Sequence, residues 1–144
     1  MRMLGYISNI LKHEVMAKVR KLDIEKMYGF YLKKRSEKPG DYTVCGFVEL
    51  GSGDARSVSP DTISYKTMKK IYFDLEADAL VILHNHPKLK NRNPSSVSPS
   101  EDDIIGTYAV ARICLSNKMN LIDHIIVDTD NYFSFVENQL IDLN

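Results

Sequence analysis

The sequence predicts an α/β chain, a β-sheet packed by helices, and three observations lead to it. Short stretches rich in β-branched or aromatic residues, at 28–32, 42–50, 79–83 and 121–127, have the length and composition of strands. Segments with apolar residues three and four apart, at 3–11 and 62–75, have the period of helices, and a further helix start falls near residue 99. The two kinds of segment are interspersed along the chain, the pattern that lays helices on the faces of a sheet. With 144 residues, 44% of them hydrophobic, the chain can bury one core of ordinary size, so one domain over 1–144 is expected.

Each element follows from local chemistry. Leu4, Ile7, Ile10 and Leu11 share a helical face, while 15–19 and 28–32 alternate and read as strands separated by turns. Between 37 and 41, Pro39 and Gly40 make a turn, and 42–50 reads as the next strand until Gly51, Ser52 and Gly53 interrupt it. The helix at 62–75 leads into 79–83, which is wholly apolar and therefore a buried strand. Residues 88–97 are basic and rich in Asn, Pro and Ser, which marks an exposed loop. Ser98 as N-cap, Pro99 at the first helical position and Glu101 three residues after Ser98 form a helix-start pattern. Two strands joined by residues 128–131 close the chain.

Composition narrows the function classes. Nineteen Lys and Arg balance nineteen Asp and Glu, and the pI near 6.9 gives no overall attraction to nucleic acid or membrane. The longest apolar runs are about five residues, far below the roughly 20 that span a bilayer, and no signal peptide is legible, so a cytoplasmic protein with no membrane partner is expected. Cys45 and Cys114 stand alone, as reduced cysteines do, and make poor zinc ligands. Residues 1–40 carry ten basic against four acidic side chains, while 119–144 carry five acids and no Lys or Arg. This polarity suits an ordinary solvated face and keeps nucleic acid open as a partner. The sequence specifies no oligomeric state.

The chemistry concentrates at His84-Asn85-His86-Pro87 and at Ser100 to Asp103. His84 and His86 leave a strand exit two residues apart, hence on the same face, where both imidazoles can reach one ion. Asp103 supplies a carboxylate from the first turn of the following helix, and Ser100, three residues earlier, shares its face. Two histidines and a carboxylate are a sufficient protein ligand set for catalytic zinc with one open position, which points to a hydrolase using Zn²⁺. Glu101 and Asp102 are better read as acids compensating the helix dipole. His13 and His124 read as structural, and Tyr132, Phe133 and Phe135 as strand core and rim.

These residues resemble a known family. His-x-His followed by Ser-x-x-Asp is similar to the JAB/MPN metallopeptidase signature, also called JAMM. His-Asn-His-Pro with Pro-Ser-x-x-Asp most resembles its bacterial RadC-like branch. Leu121 to Val127 with Tyr132 to Phe135 is similar to the closing strand pair of RadC-like domains, and Thr107 lies where that family usually has a threonine. Two features depart from it: residues 88–97 are longer than the usual connector, and no helix-hairpin-helix module is recognisable. The resemblance implies a cytidine-deaminase-like mixed sheet, zinc held by His84, His86 and Asp103, and hydrolysis of a peptide or isopeptide bond in a protein or peptide substrate.

The family also places a glutamate on a strand ahead of the histidines, and Glu49 is the expected general base. If the strands at 42–50 and 79–83 are parallel neighbours, Glu49 and the histidines share one sheet edge. Glu76 falls at the opposite edge, and Glu37 in an exposed turn. Ser100 would help zinc stabilise the oxyanion. A zinc deaminase would need His-x-Glu and Pro-Cys-x-x-Cys, and neither occurs. The alternative is a noncatalytic RadC-type interaction or DNA-associated module. Residues 88–97 are expected to form a basic flap that selects acidic substrates.

Overall fold

A computed structural model describes residues 4–53, 63–87 and 97–140. Its elements are α1 (Gly5–Leu11), α2 (Met16–Val19), β1 (Lys26–Lys34), β2 (Tyr42–Ser52), α3 (Tyr65–Asp74), β3 (Ala79–Asn85), α4 (Glu101–Ser116), β4 (Leu121–Val127) and β5 (Tyr132–Ser134). The five strands form one mixed sheet in the order β2-β1-β3-β4-β5. Only β3 and β4 run parallel; β1 is antiparallel to both β2 and β3, and β5 is antiparallel to β4. No helix among the described residues is long and apolar enough to cross a membrane.

The alternation of side chains in the central strands divides the core in two. Phe30, Leu32, Val81 and Leu83 pack under α1 and α2 with Tyr6, Ile7, Ile10, Met16 and Val19. Tyr31, Leu80 and Ile82 face the other way, against Met68 and Tyr72 of α3 and Val110 and Cys114 of α4. Because β3 is covered on both faces, all seven of its residues are buried, as its unbroken apolar stretch predicts. Its even-numbered residues therefore point toward α4, and His84 continues that row.

Three expectations need correction. Residues 15–19 are not a strand: Met16–Val19 is a helical turn, and the three-residue spacing of Met16 and Val19 buries both on the sheet. Val15, Ala17 and Val19 also alternate, and five residues are too few for periodicity to decide between the two. The cap of α4 is Ser100, not Ser98. Ser100 Oγ accepts from Asp103 N–H at 3.0 Å and the Asp103 carboxylate accepts from Ser100 N–H at 2.9 Å, so the capping box closes on Asp103 instead of Glu101. Finally, β2 and β3 are not parallel neighbours, because β1 lies between them.

β4 contains an irregularity that bears on the site. Leu80 pairs with Leu121 but Val81 pairs with Asp123, so Ile122 is an extra residue and the alternation of β4 shifts by one there. Leu121 faces the α3 and α4 side, yet so does His124, while Asp123 and Ile125 turn toward α1. On the α1 side, buried Asp123 accepts hydrogen bonds from Tyr6 Oη at 2.9 Å, Ser134 Oγ at 2.6 Å, His124 N–H at 2.8 Å and Val136 N–H at 3.1 Å. It thereby ties the first helix to the end of the chain.

Candidate metal centre

The end of β3 delivers two imidazoles to one place. His84 and His86 are 2% and 7% exposed, and their Nε2 atoms are 3.1 Å apart. The first turn of α4 supplies the Asp103 carboxylate. Oδ1 lies 3.3 Å from His84 Nε2, and Oδ2 lies 3.1 Å from His86 Nε2. Donors about 2.0–2.2 Å from a tetrahedral ion stand roughly 3.3–3.6 Å apart, so these separations match within a few tenths of an ångström. Three electron-pair donors so close together repel unless a proton or a cation lies among them, and the residues present fit a metal ion.

A fourth group approaches from the start of β1. Glu25 is 2% exposed, its Oε1 is 3.7 Å from His86 Nε2, and Glu25, His84 and His86 form a buried cluster that could hold a metal ion. Asp103 is the nearer carboxylate and touches both imidazoles; Glu25 stands one step farther off. The antiparallel pairing of Met27 with His84 brings the beginning of β1 beside the end of β3. Asn85, the residue between the histidines, then fixes the approach. Its Nδ2 donates to Ile24 O at 2.9 Å and its Oδ1 accepts from Lys26 N–H at 2.8 Å, so the backbone on both sides of Glu25 is clamped by one buried amide.

The expected base lies elsewhere. Glu49 pairs across β1 with Tyr28, its side chain is 46% exposed, and its Oε1 meets Lys26 Nζ at 2.8 Å. With β1 between β2 and β3, Glu49 is two strands from the histidines, and the structure does not bring it to them. Ser100 is at the site's edge as expected, through the capping box with Asp103. Of the expected flap at 88–97, residues 88–96 lie outside the described residues. Sequence reasoning missed Glu25, although one signal was present: Glu25 directly precedes an alternating strand, and an antiparallel β1 would place it at the histidine edge.

Burial and partners set the charges. Burial alone would push the Asp103 carboxyl up, but the adjoining His84 and His86 imidazoles and the Ser100 N–H outweigh it and hold the group well below the carboxylate range. Burial lowers His84 despite Asp103, and lowers His124 further, so both rings favour the neutral, ligand-competent form. Behind the site, His84 Nδ1 meets His124 Nε2 at 2.7 Å, and His124 Nδ1 meets Thr107 Oγ1 at 2.6 Å. His124, read from the sequence as structural, is buried between an imidazole and a hydroxyl. A small cavity at the site is lined by apolar side chains such as Met27, Ile82 and Val110 and by the polar side chains of Asp102, Asp103, Thr107 and His124.

A mixed five-stranded sheet with helices on both faces and this histidine edge defines a protein of the JAB/MPN fold. The family model for the RadC-like JAB domain matches residues 8–140, and the chain belongs to that family. It is similar to a UPF0758 protein of Fusobacterium nucleatum subsp. nucleatum, 32% identical over 141 residues, which cover 96% of this chain and 50% of the relative. UPF0758 proteins of Lactococcus lactis subsp. lactis and Neisseria meningitidis serogroup B are 33% and 34% identical over 63% and 60% of the chain, and 35% of each relative is covered. The chain therefore spans half or less of the length of these relatives.

Proposed function

We propose that this domain is a zinc-dependent hydrolase of amide bonds in a peptide or protein substrate, with His84, His86 and Asp103 as metal ligands and Glu25 as general base. The convergence of two imidazole nitrogens and one carboxylate at 3.1–3.3 Å carries this reading. Zinc bound there would supply the Lewis acidity that makes water nucleophilic near neutral pH and polarises the scissile carbonyl. The remaining work belongs to the chain. Asp103, held ionised by its hydrogen bonds, adds negative charge and completes the ligand set. Glu25 stands close enough to His86 to take a proton from a water molecule at the site and return it to the leaving amine. The cap uses a lone pair of Ser100 Oγ, so its hydroxyl proton can donate to the developing oxyanion.

Metal analysis and turnover test the reading together. The purified protein should hold about one zinc per chain, and His86→Ala or Asp103→Ala should lose it, since two protein ligands hold zinc poorly. Glu25→Gln should keep zinc while turnover falls by about 10²–10⁴, the usual contribution of a positioned base. Glu49→Gln should change neither. Wild-type protein that binds no zinc, or a fully active Glu25→Gln variant, overturns the assignment.

A further inference from the structure

Both ring nitrogens of His124 have partners, and the proton count along them has one self-consistent solution. Thr107 Oγ1 is 2.6 Å from the main-chain carbonyl oxygen of Asp103, which can only accept, so the single hydroxyl proton lies between those two oxygens. His124 Nδ1, 2.6 Å from the same hydroxyl, must then be the donor to it. A neutral imidazole protonated at Nδ1 has a bare Nε2, and that atom faces His84 Nδ1 at 2.7 Å. His84 therefore carries its proton at Nδ1. The reverse order would leave two oxygens 2.6 Å apart with no proton between them.

We propose that Thr107 and His124 form a positioning relay that fixes His84 in its Nδ1–H form and aims the Nε2 lone pair at the metal position. This rests on the zinc reading above and extends it to residues that touch neither ion nor substrate. The fold supports the relay from three sides. The extra residue in β4 turns His124 toward α4. Phe135 stacks on its ring at 4.6 Å between centroids and 9° between planes, which fixes the ring's plane. Thr107 sits one helical turn after Asp103, so one helix carries both the carboxylate and the far end of the relay. Metal-binding histidines commonly need such an outer partner to select the tautomer that leaves the ligating nitrogen bare.

The test reads tautomers directly. In the ¹⁵N-labelled, metal-free protein at about pH 8, where a histidine of ordinary pKa is neutral, long-range nitrogen–proton spectra should show His84 and His124 both protonated at Nδ1. His124→Gln, whose amide oxygen can accept from His84 Nδ1–H, should preserve that state, and zinc retention against a chelator should stay near the wild-type value. His124→Leu should shift His84 toward the Nε2–H form and weaken zinc binding about 10–100-fold. Thr107→Val should disturb the Nδ1 proton of His124. A wild-type His124 protonated at Nε2, or a His84 tautomer unchanged by His124→Leu, overturns the relay. Should His124→Leu not fold, the wild-type and Thr107→Val spectra decide. If the wild type binds no zinc, the zinc reading fails, while the metal-free spectra still decide the tautomers.

Discussion

Replacing Asn85 with Ala removes the clamp on Glu25 and leaves both histidines in place. The β1–β3 ladder reaches the site at the Met27–His84 pair, and beyond it the Asn85 side chain provides two hydrogen bonds to the backbone at Ile24 and Lys26. Each is worth about 0.5–1.5 kcal/mol net, and the stranded N–H and C=O add a desolvation cost of about 1–3 kcal/mol each when buried. Both contacts are only partly buried, so water recovers some of that cost, and the expected loss is about 2–4 kcal/mol. For a domain of this size that lowers Tm by roughly 5–15 °C. Urea unfolding of the metal-free protein measures it, with Glu49→Gln as the control, since the exposed, solvent-screened Lys26–Glu49 pair contributes little to stability. Zinc stoichiometry should survive Asn85→Ala, while turnover falls because Glu25 is no longer held. A loss under about 1 kcal/mol, or one no larger than that of Glu49→Gln, refutes the clamp.

Tyr6→Phe should destabilise the protein by about 1–2 kcal/mol by denaturant unfolding, because it removes one of four hydrogen bonds to buried Asp123; no change would mean that the remaining donors suffice. The metal-free protein should lose stability as pH falls from about 7 to 5. Burial holds His84 and His124 below the ordinary value near 6.5, so the unfolded chain takes up protons first and their contribution is full only above that value. Asp103, held low, adds a further loss below about pH 4, while Asp123, raised by burial, flattens the slope; a Tm constant from pH 7 to about 5 counts against neutral buried rings. Burial pushes the Cys114 thiol up to about 12, so a thiol reagent should label the half-buried Cys45 in the native protein and reach Cys114 only after unfolding. Equal labelling rates would contradict that packing.

The two histidines were legible because a strand alternates sides, so residues two apart share a face whatever lies around them. Asp103 was legible because helix-start chemistry is local, although the cap itself fell two residues later, on Ser100. The apolar stretch at 79–83 was enough to mark a buried strand. The short segment at 15–19 was not readable, since Val15, Met16, Ala17 and Val19 fit two periods at once and only packing on the sheet selects the helix.

The sequence by itself determined an α/β chain whose candidate metal-ligating side chains come from one strand exit and the helix start that follows it. Only the tertiary structure decided which glutamate joins them and what stands behind them. Local periodicity places a side chain on a face but carries no information about strand order, and with β1 inserted between β2 and β3 the acid beside the histidines is Glu25 instead of Glu49. The same holds for His124. One extra residue in β4 reverses the face of everything after it, and that residue is defined by pairing with β3, a contact between segments some forty positions apart.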